Sequence, residues 1–198
     1  MAGRRQAGRS RARSGRREEA DPRVLVRAAG PRDLAVLVAH RRRMWRDIGR
    51  GTTAQLDRHD VVYRRWLRRE IAARKFVGFL VEVDGRPVAS GAVWLAPSPP
   101  RPGRFPRPEV PYILSMYTAP GYRGRGLASR LVREMIAWAR SRDYPRIVLH
   151  ASDFGRPVYE RLGFVPSREM RRDLPALRPR RRRGGARGPG RRTARHAP

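Results

Sequence analysis

The sequence predicts a domain of the α/β class, in its α+β form, and three observations carry that prediction. Strand-like and helix-like apolar patterns follow one another between Arg23 and Asp173 in the order β-α-α-β-β-β-α-β-α-β. Two strand-like runs are joined by the dipeptide Asp84-Gly85, a strong signal for a tight hairpin. A glycine-rich turn, "PGYRGRG", stands between an apolar strand and a helix with one apolar face.

The elements follow in order. "RVLVRAA" (23–29) reads as a strand. Pro31 suits the first position of a helix, and Asp33 falls in its first turn, where an acid complements the helix dipole. Leu34, Leu37, Val38, Met44, Trp45 and Ile48 give that helix an apolar stripe, which Gly49 and Gly51 end. Thr52 followed by Gln55 is a capping-box pattern, and Leu56, Tyr63, Trp66, Leu67 and Ile71 mark the second helix. "FVGFLVEV", the Asp84-Gly85 turn and "RPVASGAVWL" read as a hairpin. Six prolines between 97 and 108 make a loop, because proline removes the donors a strand needs. "YILSMYT" (112–118) reads as a buried strand, and Leu127, Leu131, Met135 and Trp138 share one face of the helix that follows. "RIVLHAS" (146–152) is a further strand, "PVYERLG" a short helix and "MRRDL" a last strand.

The chain has 198 residues, a net charge of +30 and no cysteine. No disulfide framework, thiolate metal site or cysteine nucleophile is therefore available. No apolar run approaches the ~20 residues that span a membrane. The N-terminus lacks an apolar core after its arginines, so no secretory signal is expected, and the reading is a soluble cytoplasmic protein. Residues 1–22 and 178–198 are rich in arginine and poor in large apolar side chains, so both are expected to be disordered tails around a folded domain at 23–177. Only Lys75 among the 47 basic residues is a lysine. Such charge suits weak contact between the tails and nucleic acid. A GC-rich genome would also inflate Arg, Ala, Gly and Pro together, and all four are abundant here.

The glycine-rich turn raises a chemical question. Glycine at a helix N-terminus costs backbone entropy, so a purely structural helix would do better with a Ser or Asp cap. Free N–H groups there, together with the helix dipole, favour an anion. A Walker A loop needs Gly-Lys-Ser/Thr, which is absent. Gly121, Gly124 and Gly126 run G-x-x-G-x-G rather than G-x-G-x-x-G, with no acid at a ribose-binding spacing. No Gly-x-Ser-x-Gly elbow exists, and histidines 40, 59, 150 and 196 show no paired metal spacing, so no metal is expected.

The turn resembles the pyrophosphate loop of GNAT family N-acetyltransferases, Arg/Gln-x-x-Gly-x-Gly/Ala, matched by Arg123, Gly126 and Ala128. "YTAPGYRGRGLASRLVREMIAWAR" is similar to the family's fourth strand, loop and third helix, and "VLHASDFGRPVYERLGF" to its fifth strand and following helix. "RRRMWRDIG" resembles an Arg-Met-aromatic-Gly segment of many uncharacterised bacterial members. The resemblance implies a mixed central sheet, flanked by helices, whose fourth and fifth strands splay apart around acetyl-CoA. It implies that the N–H groups of Gly124, Arg125, Gly126, Leu127, Ala128 and Ser129 hold the phosphates, with Arg123 and Arg125 adding charge. It also implies that the backbone of Met116, Tyr117 and Thr118 pairs with the pantetheine arm and offers an N–H to the thioester oxygen. Ser152 stands where many members place a cofactor-contacting Asn.

The implied reaction is attack of an amine on the thioester. It needs a neutral amine, a donor for the developing oxyanion and an acid for the leaving thiolate. Tyr159 occupies the position of the family's acid tyrosine, and the competing reading is a core tyrosine beside Leu162 on the same helix face. Glu109 is the leading carboxylate for the base, with His150 and Asp153 as alternatives, and a water relay would remove the need for any of them. The acceptor is a small-molecule or peptide amine. Met44, Trp45 and Trp66 either line its pocket or pack in the core, and a basic mouth favours neutral or acidic acceptors over polyamines. The rival reading is a nucleic-acid-binding protein that keeps this fold and uses its Arg-rich tails.

Overall fold

The computed structural model describes residues 23–99, 107–170 and Arg172. Both Arg-rich tails, most of the proline-rich loop and three residues of "MRRDL" lie outside them; Met170 and Arg172 are in no strand. One compact unit runs to Val165, and a second begins at Pro166.

The first unit is built on a five-stranded mixed sheet in sequential order. Strands β1 (Val24–Ala28), β2 (Phe76–Val83), β3 (Arg86–Pro97) and β4 (Glu109–Thr118) pair antiparallel, and β5 (Val148–Leu149) joins β4 in parallel. The hairpin stands where the sequence predicts it. Asp84 and Gly85 both take positive φ, +50° and +76°, the pattern of a turn whose twist matches its strands.

Helices α1 (Leu34–Asp47) and α2 (Thr53–Ala72) cover one face of the sheet, while α3 (Leu127–Arg140) covers the other. Side chains alternate along β2 accordingly. Phe79, Val81 and Val83 meet Leu131, Val132 and Met135 of α3, whereas Phe76 and Leu80 join Leu37, Tyr63 and Leu67 on the α1–α2 side. A strand buried on both faces reads as a continuous apolar run, as "FVGFLVEV" does. The predicted capping box also forms: Gln55 N–H donates to Thr52 Oγ1 at 3.3 Å and Thr52 N–H to Gln55 Oε1 at 2.8 Å. Asp33 closes a 3-10 turn (Pro31–Asp33) ahead of α1, accepting from Gly30 N–H and from Arg27.

Besides Met170 and Arg172, and the start of β4 at Glu109 rather than Tyr112, two elements differ from the sequence reading. The fifth strand shrinks from 146–152 to Val148–Leu149, because it pairs with β4 only at Tyr112↔Val148 and Ile113↔Leu149. The short helix α4 (Arg156–Glu160) ends before Leu162, so Tyr159 and Leu162 do not share a helix face. Tyr159 instead packs edge-on against Phe164, with ring centroids 5.8 Å apart.

Candidate active site

The site begins where β4 and β5 stop pairing. Beyond Ile113 no residue of β5 pairs with β4, so Leu114 to Thr118 present an open backbone edge. The same stretch is bulged on its other side. Ala92 pairs with Leu114 and Ser90 with Tyr117, so Gly91 alone faces both Ser115 and Met116. Ser115 takes φ +57°, a left-handed value that few non-glycine residues adopt. A bulge leaves one residue out of the ladder and re-aims its backbone groups. Met116, Tyr117 and Thr118 thus follow directly from a built irregularity. Gly91 makes it fit: a Cβ there would lie 2.2 Å from Met116 Sδ and 2.6 Å from Met135 Cε.

The glycine turn follows Thr118. Gly124 and Gly126 hold φ of +76° and +74°, and Gly126 is the N-cap of α3 without a side-chain cap. The first helical bond is Arg130 N–H to the Gly126 carbonyl at 3.1 Å. The amides of Leu127, Ala128 and Ser129 precede it and form the donor end of α3. A Cβ at Gly124 or Gly126 would meet nothing within 4 Å, so the space in front of the turn is open. Arg125 lays its guanidinium over the Tyr122 ring at 5.2 Å. Arg123, exposed on the surface, folds back along the turn, donating from Nε to the Thr118 carbonyl at 3.0 Å and from Nη2 to Asp47 at the end of α1.

Tyr159 is buried, with 9% of its surface exposed. Burial first, and Tyr112 second, push its phenol up to about 12, so it carries its proton at neutral pH. Ser152 caps the turn before α4: its Oγ and its carbonyl both accept from Gly155 N–H, at 3.2 and 3.0 Å. Glu109 lies at the opposite end of β4 from Thr118, roughly 23 Å from Met116 at strand rise. Its carboxylate accepts from the Tyr144 hydroxyl at 2.6 Å. The fold therefore does not bring Glu109 together with Met116–Thr118. His150 follows β5 and is hydrogen-bonded through Nδ1 to the Tyr112 hydroxyl. Asp153 is exposed in the turn before α4.

Sequence reading missed a polar cluster on the α1–α2 face. Arg41 donates from Nη1 to Ser115 Oγ at 2.5 Å and lies over the rings of Tyr63 (4.4 Å) and Trp45 (5.3 Å). Burial holds its pKa below the usual arginine value. His59 stacks on Tyr63 at 5.7 Å, and burial together with Arg41 pushes its pKa down. Trp66 packs in the core against Phe76 and Trp94. Strand glycine 91 was the one available signal for the bulge; Arg41 sits in the run "HRRR", which reads as a solvated face.

A groove of about 400 Å³ between β1 and α3, lined in part by Arg27 and Trp138, lies toward the C-terminal end of α3, away from the glycine turn. Among the described residues, no group of three or more His, Asp or Glu could hold a metal ion, and no helix is long and apolar enough to cross a membrane.

Comparison with known proteins agrees with this architecture. The model of the acetyltransferase (GNAT) family matches residues 36–164. A GCN5-related N-acetyltransferase from Ralstonia eutropha is 30% identical, with a TM-score of 0.69 over 76% of this chain and 98% of its own. A predicted acetyltransferase from Clostridium acetobutylicum, solved with acetyl-CoA, is 28% identical, with a TM-score of 0.69 over 77% of this chain and 96% of its own. A glucosamine 6-phosphate N-acetyltransferase from Trypanosoma brucei brucei is 34% identical over 97 residues, 48% of this chain and 63% of that protein, so the match spans less than two thirds of that relative. With the family model covering both the bulged fourth strand and the glycine turn, the chain belongs to the GNAT family of acetyltransferases.

Proposed function

We propose that this protein transfers the acetyl group of acetyl-CoA to the amine of a small-molecule or peptide acceptor by direct attack. The observation that carries the reading is the open β4 edge leading straight into an uncapped, glycine-rich helix N-terminus. Acetyl-CoA supplies an activated thioester, and the chain's own groups do the rest. The amides from Gly124 to Ser129 take the pyrophosphate, with open space in front of them. Arg125 adds positive charge beside them, and Arg123 shapes the turn by tying it to Thr118 and Asp47. The Met116–Thr118 backbone holds the pantetheine arm, and an N–H at the bulge faces the thioester oxygen as negative charge develops there.

Tyr159 donates the proton that the departing thiolate needs. A phenol at about 12 is fully protonated at neutral pH and is a weak enough acid to keep its proton until a thiolate forms beside it. Water accepts the proton of the attacking amine, since Glu109 stands at the far end of β4. Ser152 contributes through its hydroxyl hydrogen, its oxygen being engaged by Gly155. The "RRRMWRDIG" segment supports a place among bacterial members of the family. The charge of the Arg-rich tails supports a weak contact with nucleic acid besides the enzyme reading.

Calorimetry with acetyl-CoA on the full chain tests the reading. Binding should stabilise the fold by ~2.7 kcal/mol at a ligand concentration 100-fold above Kd. No binding and no thermal shift would remove it.

A further inference from the structure

We infer that Arg41, set beneath the β4 bulge on the α1–α2 face, receives an anionic group, a carboxylate or a phosphate, carried by the acceptor amine. The inference rests on the acetyltransferase reading and names the acceptor's chemical class.

Arg41 is a cation without a counter-ion: among the described residues no carboxylate pairs with it, and its neighbours are Ser115, Tyr63 and Trp45. Asp60 on α2 accepts from Arg42 Nη1 through Oδ2 at 2.8 Å. An uncompensated buried charge is costly, and a ligand that supplies the missing negative charge would remove that cost. The aromatic faces of Tyr63 and Trp45 offset part of that cost without neutralising the charge.

The directions of the guanidinium donors narrow the ligand. Nη1 is already committed to Ser115 Oγ, while Nε is buried without any hydrogen-bond partner. The edge that carries Nε is one of the two forks with which arginine binds planar or tetrahedral oxyanions. Trp45 Nε1 beside it is likewise buried without a hydrogen-bond partner, while His59 Nδ1 lies 3.8 Å from Asp60 Oδ1. Trp45 Nε1 can only donate, and His59 Nδ1 faces the Asp60 carboxylate. The cation's own Nε and the neighbouring Trp45 Nε1 are two donors without acceptors, a pair suited to an oxyanion rather than to a polyamine.

Ser115, which Arg41 holds, is the residue immediately before Met116. An anion on Arg41 therefore lies on the α1–α2 side of the strand whose backbone is proposed to hold the thioester. A small acceptor with an anionic end on Arg41 would carry its amino end toward that strand.

The test uses the full chain and release of free CoA thiol, with acceptors in matched pairs. One pair is an α-amino acid and its amide; the other is a phosphorylated amino sugar and its unphosphorylated form; spermidine is the cationic control. In the wild type the anionic member of one pair should be preferred by roughly 10- to 100-fold in kcat/KM, the range a charge-assisted hydrogen bond supplies. Which pair responds separates carboxylate from phosphate. Arg41→Gln should erase the preference through KM, with acetyl-CoA affinity unchanged, and Arg41→Lys should keep only part of it. Equal or better turnover of the neutral members or of spermidine overturns the inference, as does an Arg41→Gln protein that binds acetyl-CoA and still discriminates. If no amine in the panel reacts, thermal shifts decide. Inorganic phosphate or acetate, at constant ionic strength, should stabilise the wild type more than Arg41→Gln, and equal shifts overturn the inference. Loss of acetyl-CoA binding by the wild type would instead strike the acetyltransferase reading.

Discussion

Gly91 and Met116 face each other across the β3–β4 bulge so closely that a single added carbon on Gly91 would lie 2.2 Å from the methionine sulfur. Met135 closes the same space from α3, at 2.6 Å. Gly91→Ala should therefore cost about 1–3 kcal/mol, the range for an overpacked core. Urea unfolding measures the loss, and the double variant with Met135→Ala should recover part of it. An undiminished midpoint in Gly91→Ala would mean that both methionines move aside freely.

Gly126 calls for a different outcome. A side chain there meets open space, so the penalty comes from its positive φ, about 1–2 kcal/mol for a non-glycine residue. Gly126→Val should remain folded but lose acetyl-CoA binding, because the side chain projects into the space proposed for the phosphates. Circular dichroism and calorimetry on one preparation separate the two effects. Retained affinity would reduce the turn to a helix start.

Tyr159→Phe keeps the ring against Phe164 and removes only the hydroxyl. Turnover should fall by roughly 10²–10⁴-fold, in kcat as well as kcat/KM, with acetyl-CoA affinity little changed. The wild-type rate carries a second signature. With the phenol at about 12, its ionisation should take nothing from the rate below about pH 11. A descending limb centred below pH 10 would assign the proton to another group.

His40 makes stability depend on pH. It is buried, pairs through Nδ1 with Ser90 Oγ at 2.9 Å, and is pushed down to about 4, by burial first and Arg43 second. A folded pKa below the ordinary 6.5 means that the unfolded chain binds more protons between those values. The contribution is complete above pH 6.5 and is lost as pH falls through 4, at most roughly 3 kcal/mol. Urea midpoints should drop from pH 6.5 toward about pH 5, and His40→Gln should flatten that slope. An identical slope in the variant would shift the effect to the carboxylates.

What was legible in the sequence is what neighbouring residues decide among themselves. The Asp84-Gly85 turn, the Thr52–Gln55 capping box and the apolar stripe of α3 each depend on a few consecutive side chains, and each formed as read. The glycine turn was legible for the same reason. The length of β5 was not, because it depends on where β4 stops pairing, a relation between segments over 30 residues apart. Ser115 carries no mark of its φ of +57°; that value arises from its register against Gly91. Arg41 is one arginine in a run of three, and only the packing of α1 on α2 and β4 distinguishes it from its exposed neighbour Arg43. Glu109 stands just before the strand read at 112–118 and opens β4 in the fold, but a strand's two ends are far apart.

The link from Asp47 through Arg123 to the Thr118 carbonyl has a mechanical consequence. It pins the last residue of α1 to the last residue of β4, with the start of the glycine turn caught between them. Less than two helical turns separate Asp47 from Arg41 on the same rigid rod. The turn and the rod therefore form one linkage: displacing either strains the tie. Lengthening the turn by a residue, or cutting the tie with Asp47→Asn, would let α1 and the turn move as separate parts.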